Sequence, residues 1–177
     1  MAEMAHAEEL LLKWLPKMRD AVHSAELKKA FEQYLPETQG QLEKVKTIFE
    51  LHEVQSREKK CEAMLGLLSR AQQLMQRSGA GPALDAALIS VARKVTAQTS
   101  ASYEILAKWA KLLDDKKVVK TLEKISEVEE QASKRFQQLQ ANHDRDAFEQ
   151  LLDSPRKTGR AVRKPGELVE KSSWNGW

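Results

Sequence analysis

The sequence is short of the residues that build disulfide frameworks, β-sheets and membrane spans. It has one cysteine, which excludes an internal disulfide and is typical of a reducing compartment. No stretch alternates apolar and polar residues over the length of a strand. No window approaches the roughly 18 uncharged apolar residues of a membrane span, and no signal-peptide pattern opens the chain. We therefore expect a cytoplasmic protein without strands.

Glycine is also scarce, at 7 of 177 residues, whereas alanine, leucine, glutamate, lysine and glutamine recur throughout. Charged residues make up 31 % of the chain, yet the net charge is only +3. Charges of both signs at helical spacing are typical of solvated helix faces, and a nucleic-acid-binding face would be more basic. The composition predicts a helical domain with no strong nucleic-acid signal.

The spacing of apolar residues predicts four long helices, over residues 5–22, 24–52, 83–113 and 116–141. Shorter helices are predicted at 58–77 and 146–152, and Ser24 is a candidate N-cap. Pro16 and Pro36 predict bends in the first two helices. From Asp153 the composition turns basic and rich in glycine and proline, so we divide the chain into a bundle (1–152) and a tail (153–177).

The connection between the second and third long helices is about 30 residues, which is too long for an antiparallel hairpin loop. It contains a helix of its own and suits a bundle with one long crossover. The predicted fold is all-α, a ferritin-like four-helix bundle with a helical crossover between bundle helices 2 and 3.

Several short segments carry a resemblance to a known family. Residues 60–67 (KCEAMLGL) and 85–89 (DAALI) resemble the YciE/YciF-like stress-protein family, as do 15–18 (LPKM), 37–41 (ETQGQ) and 101–103 (ASY). The resemblance extends in order from about residue 5 to 139. It implies a ferritin-like fold, a homodimer, a stress-related context and a bundle centre similar to a di-metal carboxylate site.

The sequence departs from this family at the implied ligands. Four carboxylates remain as candidate metal ligands, namely Glu8, Glu37, Glu127 and Glu129. Other side chains replace the implied ligands at six positions, namely Tyr34, Pro36, Thr96, Ala97, Thr99 and Ser133. The resemblance therefore implies a degenerate di-metal site, and we expect no bound metal or other cofactor.

The residues alone lead to the same expectation. A ferritin-like di-metal site needs about four carboxylates and two histidines that project inward. We expect His6, His23 and His52 near helix ends and His143 beyond the last long helix, although Glu3 and His6 have the Glu-x-x-His spacing. No acid occurs from residue 86 to 103, where small hydroxyl side chains are expected to bond the preceding helical turn.

Two individual residues have alternative interpretations. Tyr34 either fills the space left by a lost ligand or is a redox-active tyrosine beside a metal. Cys61 has no neighbouring histidine or second cysteine in the sequence, which favours a buried structural thiol.

The tail is the other candidate for function. It contains a basic segment and two tryptophans that would expose much apolar area unless they dock, and its partner-binding candidates are Arg156, Lys157, Arg160, Arg163, Lys164, Trp174 and Trp177. The tail could fold back on the bundle or a dimer mate, bind another protein, or be attracted to nucleic acid or an anionic membrane.

We predict a non-catalytic structural or partner-binding protein. One alternative is a metal-dependent oxidase or ferroxidase that holds iron or manganese with the four remaining carboxylates. A second is a bundle that binds a small ligand through residues 96–102.

Overall fold

The computed structural model describes residues 1–53 and 59–153. Within these ranges it has no strand and five helices: α1 (Ala2–Ala21), α2 (Ala25–Leu51), α3 (Glu62–Arg77), α4 (Pro82–Leu112) and α5 (Lys116–Asp153). Helix α1 packs along α2, α4 packs along α5, and α2 also contacts α5. The shorter α3 packs against α1 and α4 and makes the crossover. The predicted all-α, ferritin-like topology is confirmed.

Local sequence signals set the starts of α2 and α5. The Ser24 hydroxyl accepts a 3.3 Å hydrogen bond from the Leu27 N–H, as expected of an N-cap. The Asp115 carboxylate caps α5 in the same way, accepting from the Val118 N–H at 3.0 Å. Asp114 precedes it with a φ of 54°, a left-handed conformation that aspartate tolerates better than most residues. The turn between α4 and α5 is therefore built from these two aspartates.

Asp85 ties α4 to the corner between α1 and α2. Its side chain is only 2 % exposed, and its two oxygens accept the backbone N–H groups of His23 and Ser24, each at 2.8 Å. Free N–H groups at a helix start need acceptors when they are buried. Asp85 supplies these acceptors from a distant part of the chain. The first residue of the DAALI segment therefore has a structural role.

The structure corrects the end of the last helix. Helix α5 is continuous to Asp153, so residues 146–152 belong to it and His143 lies inside it. No glycine or proline interrupts residues 116–153, and the Gln150 side chain accepts a 3.2 Å hydrogen bond from the Ala83 N–H. That contact holds the last turns of α5 against the start of α4.

The other predicted helix boundaries differ less from those of the structure. Helix α3 begins at Glu62 rather than 58, and residues 54–58 lie outside the described part of the chain. Helices α1 and α2 are continuous through Pro16 and Pro36. The whole of the segment 154–177, with every candidate residue of the tail, also lies outside the described residues.

The core is centred between the four long helices. Phe31 of α2 and Phe136 of α5 stack with ring centroids 5.3 Å apart, and Tyr34 meets Phe136 edge-on at 5.9 Å. Tyr34 has an apolar ring in this aromatic group and a hydroxyl that points to polar neighbours. The aromatic layer therefore borders a polar centre.

Candidate functional site

A group of polar side chains lies in the middle of the bundle, shielded from solvent. All four long helices contribute, and the members, each 0 % exposed, are Glu8, Tyr34, Thr38, Gln41, Thr96, Thr99, Tyr103 and Glu129. We call this set the carboxyl centre. Burying a polar group costs free energy unless it is hydrogen-bonded, so the partners of its two glutamates decide its chemistry.

Glu129 is held by hydroxyl groups from two other helices. The Tyr34 hydroxyl lies 2.9 Å from Glu129 Oε2 and 3.1 Å from Oε1. Thr99 Oγ1 lies 2.5 Å from Glu129 Oε2 and can instead donate to the Val95 carbonyl at 3.1 Å. Burial raises the pKa of Glu129 above its usual range, while Thr99, the nearby Gln41 amide and Tyr34 favour the charged form.

Glu8 has one partner and a stronger preference for its neutral form. The Tyr103 hydroxyl lies 2.6 Å from Glu8 Oε1, and Oε2 has no hydrogen-bond partner in the described structure. Burial first, and then the charge of Glu129, raise the pKa of Glu8, and the hydrogen bond from Tyr103 lowers it, so that the resulting pKa is about 8. At neutral pH Glu8 is therefore a carboxylic acid that can itself donate a hydrogen bond.

Both tyrosines remain phenols. Burial first, and then the nearby glutamates, raise the pKa of Tyr34 and of Tyr103 well above the usual range of a phenol. Each hydroxyl thus keeps its proton and donates to a carboxyl oxygen. The centre consists of two tyrosine–glutamate pairs, one between α2 and α5 and one between α1 and α4.

Gln41 is the least satisfied member of the carboxyl centre. Neither atom of its side-chain amide makes a hydrogen bond of normal geometry with the described residues, although the amide lies close enough to Glu129 to lower the pKa of that group. Gln41 and Glu8 Oε2 are therefore the polar groups that a small guest could still bind.

The other two candidate ligands lie outside the carboxyl centre. The Glu37 side chain is 27 % exposed and forms an ion pair with Arg135 of α5. Glu127 is exposed and lies beside Glu104 and Glu123 on the outer surface between α4 and α5. Of the four carboxylates, the structure brings together only Glu8 and Glu129.

The six positions at which other side chains replace the implied ligands also divide between the carboxyl centre and more exposed sites. Tyr34, Thr96 and Thr99 are buried in the carboxyl centre, Ser133 is half-buried, and Pro36 and Ala97 are exposed. In α4 the predicted hydrogen bonds from hydroxyl side chains to the preceding helical turn are confirmed, because Thr96 donates to the Arg93 carbonyl at 3.1 Å. Ser102 donates likewise to the Gln98 carbonyl at 2.9 Å but does not belong to the centre.

Three of the four histidines have partners outside the carboxyl centre. His6 Nδ1 accepts from the backbone N–H of Cys61 at 3.1 Å, while Glu3, its predicted partner, forms an ion pair with Lys59 at 2.8 Å. His52 lies 2.8 Å from an Asp115 carboxylate oxygen, and Nδ1 of His143 lies 2.8 Å from the Leu139 carbonyl oxygen. The Glu3–His6 spacing therefore does not create a ligand pair.

A di-metal group does not fit this donor set. In the described ranges, 1–53 and 59–153, no three histidine, cysteine or acidic side chains come together as metal ligands. Two bridged cations need several carboxylates to balance their charge and imidazoles to complete their coordination. The centre supplies two carboxyls, one of them neutral at pH 7, and hydroxyl donors that point at both.

Three residues were missed by reasoning from the sequence alone. Tyr103, Gln41 and Arg135 each have a polar atom beside a candidate glutamate. Tyr103 lies four residues beyond Thr99 on the same helix face, so helical spacing could have identified it. Gln41 lies seven residues beyond Tyr34 on one face of α2, so the same spacing applies to it. Arg135 has no such signal, because its contact with Glu37 depends on how α2 and α5 pack.

The comparisons with known proteins agree with this architecture. Residues 1–149 match a family described as a domain of unknown function, DUF892. The chain is similar to Protein YciF of Escherichia coli, with 31 % identity over 144 residues, which cover 81 % of this chain and 87 % of that protein. No helix in the described ranges is long and apolar enough to cross a membrane.

Two solved structures are also similar. The crystal structure of the E. coli stress protein YciF has a TM-score of 0.77, with 31 % identity, and the match covers 81 % of this chain and 91 % of that one. YcfI from Rhodopseudomonas palustris, provisionally described as a structural protein, has a TM-score of 0.73 at 27 % identity, and the match covers 76 % and 86 %. The chain belongs to the DUF892 family of YciF-like proteins.

Proposed function

We propose that this protein has a non-catalytic structural or partner-binding role and that its carboxyl centre stabilises the bundle by hydrogen bonds instead of binding metal. The observation that carries the proposal is the bonding of the Glu129 carboxyl, which accepts hydrogen bonds from the hydroxyl groups of both Tyr34 and Thr99. A cation at Glu129 would have to replace these hydrogen bonds. The hydroxyls come from α2 and α4, so displacing them would also disturb contacts between helices.

The protonation of Glu8 supports the same proposal. A metal binds the carboxylate and not the acid, so a ligand with a pKa of about 8 must first lose its proton at neutral pH. With one pH unit between pKa and pH 7, this step weakens binding about tenfold. Ionised Glu8 also puts a second negative charge beside Glu129.

The relatives point to the same context. One is described as a stress protein and another, provisionally, as a structural protein. We therefore place the role in a stress response, with a homodimer as the expected assembly and a cytoplasmic location.

A metal-dependent oxidase is the second candidate, because one observation favours it. Glu8 and Glu129 are close enough for the charge of one to raise the pKa of the other, and the Gln41 amide and Glu8 Oε2 have no hydrogen-bond partner in the described structure. The carboxyl oxygens of Glu8 and Glu129 and the amide oxygen of Gln41 are the ligands that a single iron or manganese ion would use.

Thermal unfolding with and without metal separates the two candidates. Chelator-treated protein is melted with Mn²⁺, with Fe²⁺ under anaerobic conditions, and with excess chelator. We expect the same Tm in all three, because a ligand that binds only the folded state would raise it. Glu129→Gln is compared with Glu127→Gln, an exposed carboxylate on the same helix. A metal-dependent rise in Tm that is lost in Glu129→Gln and kept in Glu127→Gln would establish the oxidase-type site instead.

A further inference from the structure

The outer face of α4 is apolar near its C-terminal end, where solvent would favour charge. Ile105, Trp109 and Leu112 are 46 %, 58 % and 85 % exposed. Their spacing of four and three residues puts them on one side of the helix. Side chains of this size usually contribute to a protein interface when they share an exposed face.

This face forms one wall of a groove of about 320 Å³ between α4 and the start of α1, which we call the α4 groove. Met1 and Met4 form the opposite wall, and Gln98 and Ser102 provide polar groups on the α4 side. Gln98 Oε1 is shielded from solvent and has no hydrogen-bond donor within the described residues. The lining also includes the ion pair between Glu3 and Lys59. The α4 groove therefore combines apolar side chains with one unused acceptor, which suits an indole ring and its N–H group.

The chain itself has a segment of this chemistry. Residues 154–177 follow the described part of α5 and end in Trp-Asn-Gly-Trp, with Trp174 and Trp177 as the only aromatic side chains of the tail. Tryptophan buries a large apolar area and requires a partner for its N–H.

The length of the tail allows this contact. Helix α5 ends beside the start of α4, because the Gln150 side chain bonds the Ala83 N–H. Trp109 lies 26 residues further along α4, or about 39 Å at the rise of an α-helix. The 21 residues from Asp153 to Trp174 can span up to about 70 Å when extended. The end of the tail can therefore reach the α4 groove with chain to spare.

We propose that the α4 groove binds the Trp174–Trp177 segment of the same chain, with at least one indole between Ile105, Trp109 and the methionines of α1. The tail then acts as a strap along the α4 side of the bundle. The inference does not depend on the metal-free carboxyl centre of the proposed function, because groove and tail share none of its residues.

Paramagnetic broadening tests the contact in the full chain. A nitroxide is attached to Ser173→Cys with Cys61 left in place, because Cys61 is only 4 % exposed and lines the α4 groove, and the amide signals of the isotope-labelled protein are followed. We expect the signals of Ser102, Ile105 and Trp109 to lose most of their intensity. Signals around Ile48 and Thr121, which line a different groove between α2 and α5, should keep theirs.

Three variants serve as the contrast. Ile105→Glu should restore the groove signals, while Leu51→Glu, at a site of similar exposure (43 %) on α2, should leave the broadening unchanged. Replacing both indoles, Trp174→Ala with Trp177→Ala, should abolish the effect without touching the bundle.

Mixed samples decide which chain supplies the tail. Spin-labelled chains without isotope are mixed with isotope-labelled chains that carry no nitroxide. Intact groove signals in the mixture support the intrachain contact. Broadening in the mixture, or broadening centred away from the groove in the first experiment, would overturn the proposal.

Discussion

Replacing Glu8 by glutamine should flatten the dependence of stability on pH. Glutamine has nearly the shape of the neutral acid and keeps an oxygen that accepts the hydrogen bond from the Tyr103 hydroxyl. It cannot ionise, so the free-energy cost of burying a charge at this position disappears.

The sign of the effect follows from proton binding. The pKa of Glu8 is about 8 in the folded protein, against a usual value of 4.5. Between these values the folded state holds a proton that the unfolded state has lost, so the free energy of unfolding falls as pH rises. The stabilisation from the neutral form is complete below about pH 4.5 and is lost as the pH passes about 8.

The magnitude follows from the size of the shift. Each pKa unit corresponds to about 1.4 kcal/mol, so the full shift amounts to about 5 kcal/mol, of which about 2 kcal/mol is lost between pH 6 and pH 8. Glu129 contributes in the same direction, because burial raises its pKa too. The difference between wild type and variant isolates the share of Glu8.

The assay is urea unfolding at several pH values from about 5 to 9. Glu8→Gln should match or exceed wild type at the alkaline end and show a shallower decline. Glu9→Gln, the exposed neighbour on α1, is the matched control and should follow wild type. An equally steep decline in Glu8→Gln would refute the assignment of the buried proton to Glu8.

Three further changes test the packing around this centre. Tyr103→Phe removes the donor to Glu8 and should destabilise the protein by about 1–2 kcal/mol. It should also move the pH-dependent loss of stability to higher pH, because that hydrogen bond lowers the pKa of Glu8. Asp85→Asn leaves a backbone N–H of the α1–α2 corner without its acceptor and should cost about 2 kcal/mol in urea unfolding, against almost nothing for the exposed Asp114→Asn. Phe136→Ala opens a cavity in the aromatic layer and should lower the free energy of unfolding by about 3–5 kcal/mol.

Helical periodicity was sufficient to predict the helices because every long helix has apolar residues at helical spacing on one side, interrupted only at the carboxyl centre. The length of the connection between α2 and α4 then predicted the crossover. The prediction was wrong at the end of α5, where the polar residues around Asn142 resemble a loop in composition. The hydrogen bond between Gln150 and Ala83, a contact 67 residues apart in the chain, stabilises those turns and has no local signal.

The candidate carboxylates were predicted as one group, and the structure divides them. Spacing from apolar neighbours allows Glu8, Glu37 and Glu129 alike to face inward, but the structure buries only Glu8 and Glu129. The position of Glu37 was not predictable in this way, because its ion pair with Arg135 depends on how α2 and α5 are aligned along their length. A pattern within one helix predicts which side is buried, whereas the partner across the bundle is fixed only by the packing of helices.

Elemental analysis of the purified, tag-free protein tests the central claim most directly. The protein is expressed with iron, manganese and zinc supplied and is analysed by plasma mass spectrometry, with Glu8→Gln and Glu129→Gln measured in parallel. The account predicts metal far below one ion per chain in all three proteins. Iron or manganese near one or two ions per chain in wild type, and lost in both variants, would contradict it and make the carboxyl centre a metal site.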